Sequence, residues 1–401
     1  MDIYARLGVR TRINGAGLLT RLGGSLMPSE VVAAMAEAAA SFVDIAELQA
    51  RASAVIAECT GAEAGLVTSG AAAALTLGTA ACLTGLDPAR MDRLPDTEGM
   101  PNEVVMCRPH RTAYDHAIRA AGARIREAGF NDRAMGAGVR GVEPWELEAA
   151  ITPRTVAIAY AATPADEPPL RDVTALAARH RLPVLVDAAA QLPPAENLRR
   201  FIAEGAALVA YSGGKAIRGP QSTGILCGRR DLVAAAALQQ LDMDVAPETW
   251  SPPASLIPRD ALPGIPHHGL GRGFKVGKEE IVGLIVALER FVRLDHDAEL
   301  RAREAQLRLL AERLSGVPHV QVQERSARET GRSPLLELVL DERALGRTAS
   351  AISRELQRGE PPVHLSERRA AQGVLTVDPS GLRAGDERVV ADRVRAVLTS
   401  P

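Results

Sequence analysis

Aromatic side chains are scarce. Five Phe, four Tyr and two Trp make 3% of the 401 residues, so alanine and branched aliphatics have to fill the core. Cysteine is equally thin: Cys59, Cys82, Cys107 and Cys227 are scattered, which excludes a disulfide framework and a thiolate metal spacing. Neither sign of charge dominates. Lys and Arg number 47 against 49 Asp and Glu, and a net charge of −2 gives no electrostatic drive toward nucleic acid or an anionic membrane. Uninterrupted apolar runs long enough to span a bilayer are missing, and Met1-Asp-Ile-Tyr-Ala-Arg6 lacks the pattern of a signal peptide. The expectation is a cytoplasmic protein with reduced thiols, no membrane segment and no structural metal.

What is present is a globular composition, 46% hydrophobic and 24% charged, in a chain too long for one compact core. Short β-rich runs alternate with helical patterns: Ala64–Thr68 before an alanine-rich helix near 70–83, Glu103–Cys107 before a helix near 114–121, then Thr155–Tyr160, Pro183–Val186 and Ala207–Ala210. This alternation predicts an α/β fold with a mostly parallel sheet. We expect a large domain over residues 50–250 and a smaller α+β domain over 251–401. Residues 1–49 would pack on the small domain or on a partner subunit. The pattern after Lys278 reads as one long helix to about Leu314.

Four stretches carry chemistry. Ser212-Gly-Gly-Lys215 sets a lysine among small residues, where backbone can approach a planar group closely; the competing reading is a hairpin turn with an exposed lysine. Asp187 ends an apolar strand, the position at which parallel sheets hold ligands, or else it caps the next segment. Thr68-Ser-Gly-Ala71 opens a helix and suits either a phosphate or an ordinary N-cap. His110, fixed by Pro109, follows another strand end and could stack on a flat ring; it forms no metal spacing with His116. Gly269–Lys278 adds Arg272, Lys275 and Lys278 in a flexible frame suited to anion capture or to plain solvation.

Taken in order, phosphate turn, stacking position, strand-end aspartate and glycine-flanked lysine resemble the pyridoxal-phosphate enzymes of the aspartate-aminotransferase fold (fold type I). The resemblance is to the branch containing selenocysteine synthase and D-glucosaminate-6-phosphate ammonia-lyase. It is carried by Ile13-Asn-Gly-Ala-Gly17, Gly23-Gly24, Thr60-Gly-Ala-Glu63, Thr68-Ser-Gly70, Ser212-Gly-Gly-Lys215, Gly219-Pro-Gln221 and Lys275-Val-Gly-Lys-Glu-Glu280. It implies that Lys215 holds pyridoxal 5'-phosphate as an imine, Asp187 pairs with the ring nitrogen and His110 stacks on the ring. Ser69, Gly70, Ala71 and Ser212 would hold the phosphate. Relatives often carry a glutamine three residues after the aspartate; here that position is Ala190, and Gln191 receives no role.

The resemblance further implies an enzyme acting at the α-carbon of an amine, with a small amino-acid-like substrate and a homodimer or larger assembly. The leading expectation is a lyase releasing ammonia and a 2-oxo acid by β-elimination. Arg12, Arg272 or Lys275 would bind the substrate carboxylate. Transamination and racemisation share its first proton abstraction. Selenocysteine formation on a charged tRNA is disfavoured by the charge balance.

Overall fold

The computed structural model describes residues 2–130 and 141–399. Its strands are β1 (Ile13–Gly15), β2 (Ala64–Thr68), β3 (Glu103–Cys107), β4 (Arg124–Ala128), β5 (Thr155–Ala161) and β6 (Val184–Asp187). There follow β7 (Leu208–Ser212), β8 (Gly224–Gly228), β9 (Val320–Arg325), β10 (Leu335–Leu340), β11 (Val363–Leu365) and β12 (Val374–Val377). The chain divides into two compact units, Met27–Arg293, and Met1–Leu26 together with Leu294–Pro401. These limits do not coincide with the expected boundaries at 49/50 and 250/251: the chain leaves the large unit where the expected long helix breaks. Lys278–Arg293 and His296–Leu314 are separate helices, and the second is capped by Asp295, whose carboxylate accepts from Ala298 N at 2.8 Å.

The large unit is built on a seven-stranded sheet in the order β2-β8-β7-β6-β5-β3-β4. Only β8 runs against its neighbours; β7, β6, β5, β3 and β4 are mutually parallel. Val184, Val186, Val209, Tyr211 and Ile225 fill one face. Leu66, Leu185, Leu208, Ala210 and Leu226 fill the other, against the helix Ala71–Thr84. That helix is apolar on all sides and buried over most of its length, as a central helix should be. Gly78 lets it sit tightly: a Cβ there would lie 3.1 Å from Leu185 and 3.3 Å from Leu208 and Leu226.

The small unit gathers both ends of the chain. An antiparallel sheet, β12-β10-β9, and a parallel pair, β1 with β11, pack on the helices His296–Leu314, Ala349–Arg358 and Asp386–Thr399. Its core includes Leu310, Leu336, Leu338, Ile352, Val363 and Val390.

Candidate active site

Side chains alternate across a strand, so the residues two beyond Leu66 and Leu185 and two beyond Ala210 share the face covered by the helix Ala71–Thr84. Those residues are Thr68, Asp187 and Ser212, all at one end of the sheet. Register ties them together: Gly224 pairs with both Thr68 and Ser212, and Asp187 pairs with Ala210.

The β7–β8 connection, which carries Lys215, folds back on itself. Gly213 N donates to Thr223 O at 2.8 Å, Gly219 N to Gly213 O at 2.9 Å and Arg218 N to Lys215 O at 3.0 Å. A Cβ on Gly213 would stand 2.2 Å from Thr223 Oγ1, and one on Gly214 2.6 Å from Gln221 O. Only glycine fits either place, which is the physical content of the Ser-Gly-Gly-Lys pattern.

Asp187 is partly buried and accepts from Ala189 N at 3.0 Å. Burial pushes its carboxyl pKa upward, while that hydrogen bond and the charge of Lys215 pull it down. Burial wins, so a further cation beside this carboxylate would stabilise its charged form.

The helix Ala71–Thr84 starts without a side-chain cap. Its first helical bond is Ala74 N to Gly70 O at 3.0 Å, so the N–H groups of Ala71, Ala72 and Ala73 precede the i→i−4 ladder. Gly70 sits at φ 108° with nothing within 4 Å of where a Cβ would be. Gly224 brings the neighbouring backbone close; a Cβ there would lie 2.4 Å from the carbonyl carbon of Gly70 and 2.6 Å from Ala71 N. Beside this helix start lies a cavity of about 470 Å³ lined by Ser69, Ala72, Ala73, Tyr114, Leu270 and Phe274. Ser69 Oγ donates to Phe274 O at 2.7 Å, so its proton is engaged while its lone pairs stay open.

His110 does not line that cavity. It is 3% exposed, packs edge-on against Tyr160 at 4.6 Å between centroids, and has Nε2 at 2.8 Å from Glu167 O. Because a carbonyl only accepts, Nε2 carries the proton, and buried Nδ1 is left as an acceptor without a partner. Burial lowers its pKa to about 4 against the raising effect of Asp166. A small recess beside Asp187 is lined instead by Thr112, Tyr114, Asp115 and Tyr160. Tyr114 therefore lines both hollows, the one by Ser69 and the one by Asp187. Sequence reading passed over it; the available signal was Thr112, which caps the short turn Ala113–Asp115 through Tyr114 N at 3.2 Å.

The three basic residues expected to bind a carboxylate lie in different settings. Arg272 is ion-paired with Asp242. Lys275 is exposed after the turn Leu270–Phe274. Arg12 belongs to the small unit. Gln191 is buried and donates to Ala162 O at 2.6 Å, in keeping with having no assigned role. Among the described residues, Asp242, Asp244 and His268 are grouped closely enough to suggest a cation, but all are exposed and Asp242 already holds Arg272. No helix among the described residues is long and apolar enough to cross a membrane.

The chain matches no protein-family profile. It is 32% identical to the D-glucosaminate-6-phosphate ammonia lyase of Salmonella typhimurium over 99% of this chain and 98% of that protein. It is 31% identical to a 5'-C-glycyluridine monooxygenase-decarboxylase of a Streptomyces species, over 98% of this chain and 92% of that one. The L-seryl-tRNA(Sec) selenium transferase of Desulfovibrio desulfuricans aligns at 27% identity over 57% of this chain and 51% of its own length. Among solved structures, a D-glucosaminate-6-phosphate ammonia-lyase superposes with a TM-score of 0.81 at 31% identity, covering 99% of this chain and 98% of that one. A SepCysS–SepCysE complex shares the fold at a TM-score of 0.55 and 12% identity, covering 96% of this chain and 94% of its own.

Proposed function

The chain belongs to the fold-type I family that includes D-glucosaminate-6-phosphate ammonia lyase, and from that premise we propose that it is a pyridoxal-phosphate-dependent lyase acting on a β-hydroxylated amino acid or amino-sugar acid. One observation carries the reading: a glycine turn that admits no Cβ sets Lys215 near enough to Asp187, the last residue of β6, for its charge to act on that carboxylate. The residues fit the cofactor. An uncapped helix start beside a cavity suits a phosphate, and a partly buried carboxylate whose charge is disfavoured suits a protonated ring nitrogen.

When bound, pyridoxal phosphate supplies an electron sink for charge developing at the substrate α-carbon. Lys215 Nζ would be the amine that holds this cofactor and, once free, the base that takes the substrate's α-proton. Asp187 would pair with the ring nitrogen and keep it protonated. Ser69, Gly70 and Ala71 would hold the phosphate through backbone N–H groups, and Ser212 through its hydroxyl. His110, held at Nε2 by the Glu167 carbonyl, would be the group beside the ring that the resemblance implies, and Tyr114 would wall the hollows by Ser69 and Asp187. The β-hydroxyl leaves as water, one water is taken back, and the net products are ammonia and a 2-oxo acid. Arg12 and Lys275 remain open to the substrate's acid group. The reading includes a homodimer or larger assembly in the cytoplasm, supported by four free thiols and by exposed Phe42, Val43 and Ile45.

A second reading is decarboxylation with oxygen uptake, favoured by the full-length likeness to the monooxygenase-decarboxylase. Borohydride reduction followed by peptide mapping tests the shared chemistry: the reduced cofactor should be found on Lys215, and a label on any other lysine refutes the assignment. A panel of D- and L-amino acids and amino-sugar acids should release ammonia and 2-oxo acid in equal amounts. Carbon dioxide release with oxygen consumption would instead establish the second reading. Keto-acid-dependent amine exchange would identify an aminotransferase, and inversion without oxo acid a racemase.

A further inference from the structure

The small unit holds a second buried imidazole whose surroundings are unlike those of His110. β1 and β11 pair in parallel with Asn14 opposite His364. Val363 and Leu365 point into the unit's core, so His364 points to the opposite face, and Arg12, two residues before Asn14, lies on that face too. His364 is nevertheless only 4% exposed. Arg12 Nη1 stands 3.3 Å from His364 Nε2. A guanidinium only donates, so Nε2 must accept and the ring's proton sits on Nδ1, which is buried without a partner. Burial and then the charges of Arg12 and Arg21 depress the ring's pKa against Glu367, which agrees with a neutral ring.

The arginines here are treated differently. Arg10 is paired, with Glu360 at 2.6 Å and Gly359 O at 2.7 Å. Arg12, two residues on, is exposed and has no carboxylate in ion-pair range among the described residues. Arg21 reaches Glu367 only at 3.9 Å, and the other oxygen of Glu367 is occupied by Ser353 and Gln357, each at 2.7 Å. Arg12 thus contacts a neutral ring that also feels the charge of Arg21, and the one carboxylate near Arg21 is committed to Ser353 and Gln357. A neutral acceptor that fixes a guanidinium without cancelling its charge leaves it oriented and available to an oxyanion.

We propose that Arg12 and Arg21 form an oxyanion-binding site that takes an acid group of the substrate, carboxylate or phosphate monoester, and that His364 is the positioning residue that orients Arg12. That the ligand is substrate rests on the lyase reading; the site itself does not.

Calorimetric titration of the cofactor-loaded full-length protein tests it with two amine-free probes, D-gluconate for the carboxylate and D-glucitol 6-phosphate for the phosphate. At least one should saturate the wild type, and which one does identifies the group. Arg12→Gln, a change at an exposed position, should weaken that probe about tenfold or more. His364→Phe should weaken it severalfold, and His364→Gln, which restores an acceptor, should recover part of the loss. With an amino-acid substrate KM should rise while kcat is largely kept, and the thermal midpoint of Arg12→Gln should not move. Equal binding by wild type and Arg12→Gln, or no binding of either probe to wild type, overturns the proposal. Failure of the lyase reading registers separately, as a wild type that carries no cofactor on Lys215 or releases no ammonia.

Discussion

Each unit of this protein buries one imidazole almost completely, yet the two rings are wired in opposite senses. His110 donates from Nε2 to a backbone carbonyl and leaves Nδ1 as an idle acceptor. His364 accepts at Nε2 from Arg12 and leaves Nδ1–H as an idle donor. Both rings are kept neutral, His110 by burial against the pull of Asp166 and His364 by burial reinforced by two guanidiniums. Burial therefore fixes the charge of a histidine, while the group facing Nε2 fixes what it can do. The contrast extends to the surrounding regions. The large unit's site is made of glycines, hydroxyls and helix N–H groups around one acid and one lysine, whereas the small unit's is made of long charged side chains flanking two three-residue strands.

The sharpest way to break the comparison is at the acid. Asp187→Asn should keep the cofactor but cut turnover by about 10²–10³, since it removes the strand-end carboxylate that would keep the ring nitrogen protonated. Near-normal kcat would remove the large unit's claim to be the chemical half.

A smaller effect separates the two imidazoles by their response to acid. With a folded pKa near 4 against an unfolded value of about 6.5, His110 binds its proton later when folded. Its neutral form therefore contributes full stability above the unfolded pKa, and this is lost as pH falls through the window toward 4, on the order of 3 kcal/mol in total. Urea midpoints of the cofactor-free protein should fall across that window, and His110→Gln should flatten the fall. An unchanged slope would mean that burial does not control this ring.

The smallest effect concerns the basic residues that sequence reading left equivalent. Arg272→Ala should change KM by less than about threefold and stability by less than ~1 kcal/mol, because its charge is spent on half-exposed Asp242. A large rise in KM, measured by steady-state kinetics, would return Arg272 to the substrate and weaken the case for Arg12.

Legibility followed distance along the chain. Lys215, Asp187 and the helix start near Ser69 were picked out because each lies in a short stretch of small residues, and at Gly213 and Gly214 those small residues have a local cause, since neither has room for a Cβ. The parallel sheet was readable for the same reason, through its alternating runs. His110 was found just after the end of β3, where it packs edge-on against Tyr160, while Tyr114 was passed over because Thr112 marks its turn but nothing in the sequence shows that it lines two hollows. The break at Asp295 was hidden by an amphipathic pattern that runs through it. The pairing of Arg12 with His364 had no local signal at all, since parallel strands need not be neighbours in sequence.

That pairing has a consequence in time. Ile13 is aligned with Val363, so β1 leaves the ribosome 350 residues before its partner strand exists. At about 5–20 residues per second, its unpaired edge waits roughly 20–70 s, while the whole of the intervening unit is synthesised. A chain that stops early can still make every strand of the seven-stranded sheet, but it leaves Arg12 with no imidazole to hold it. Completion of translation is thus written into the small unit, whose first strand is seated only when nearly the last has arrived.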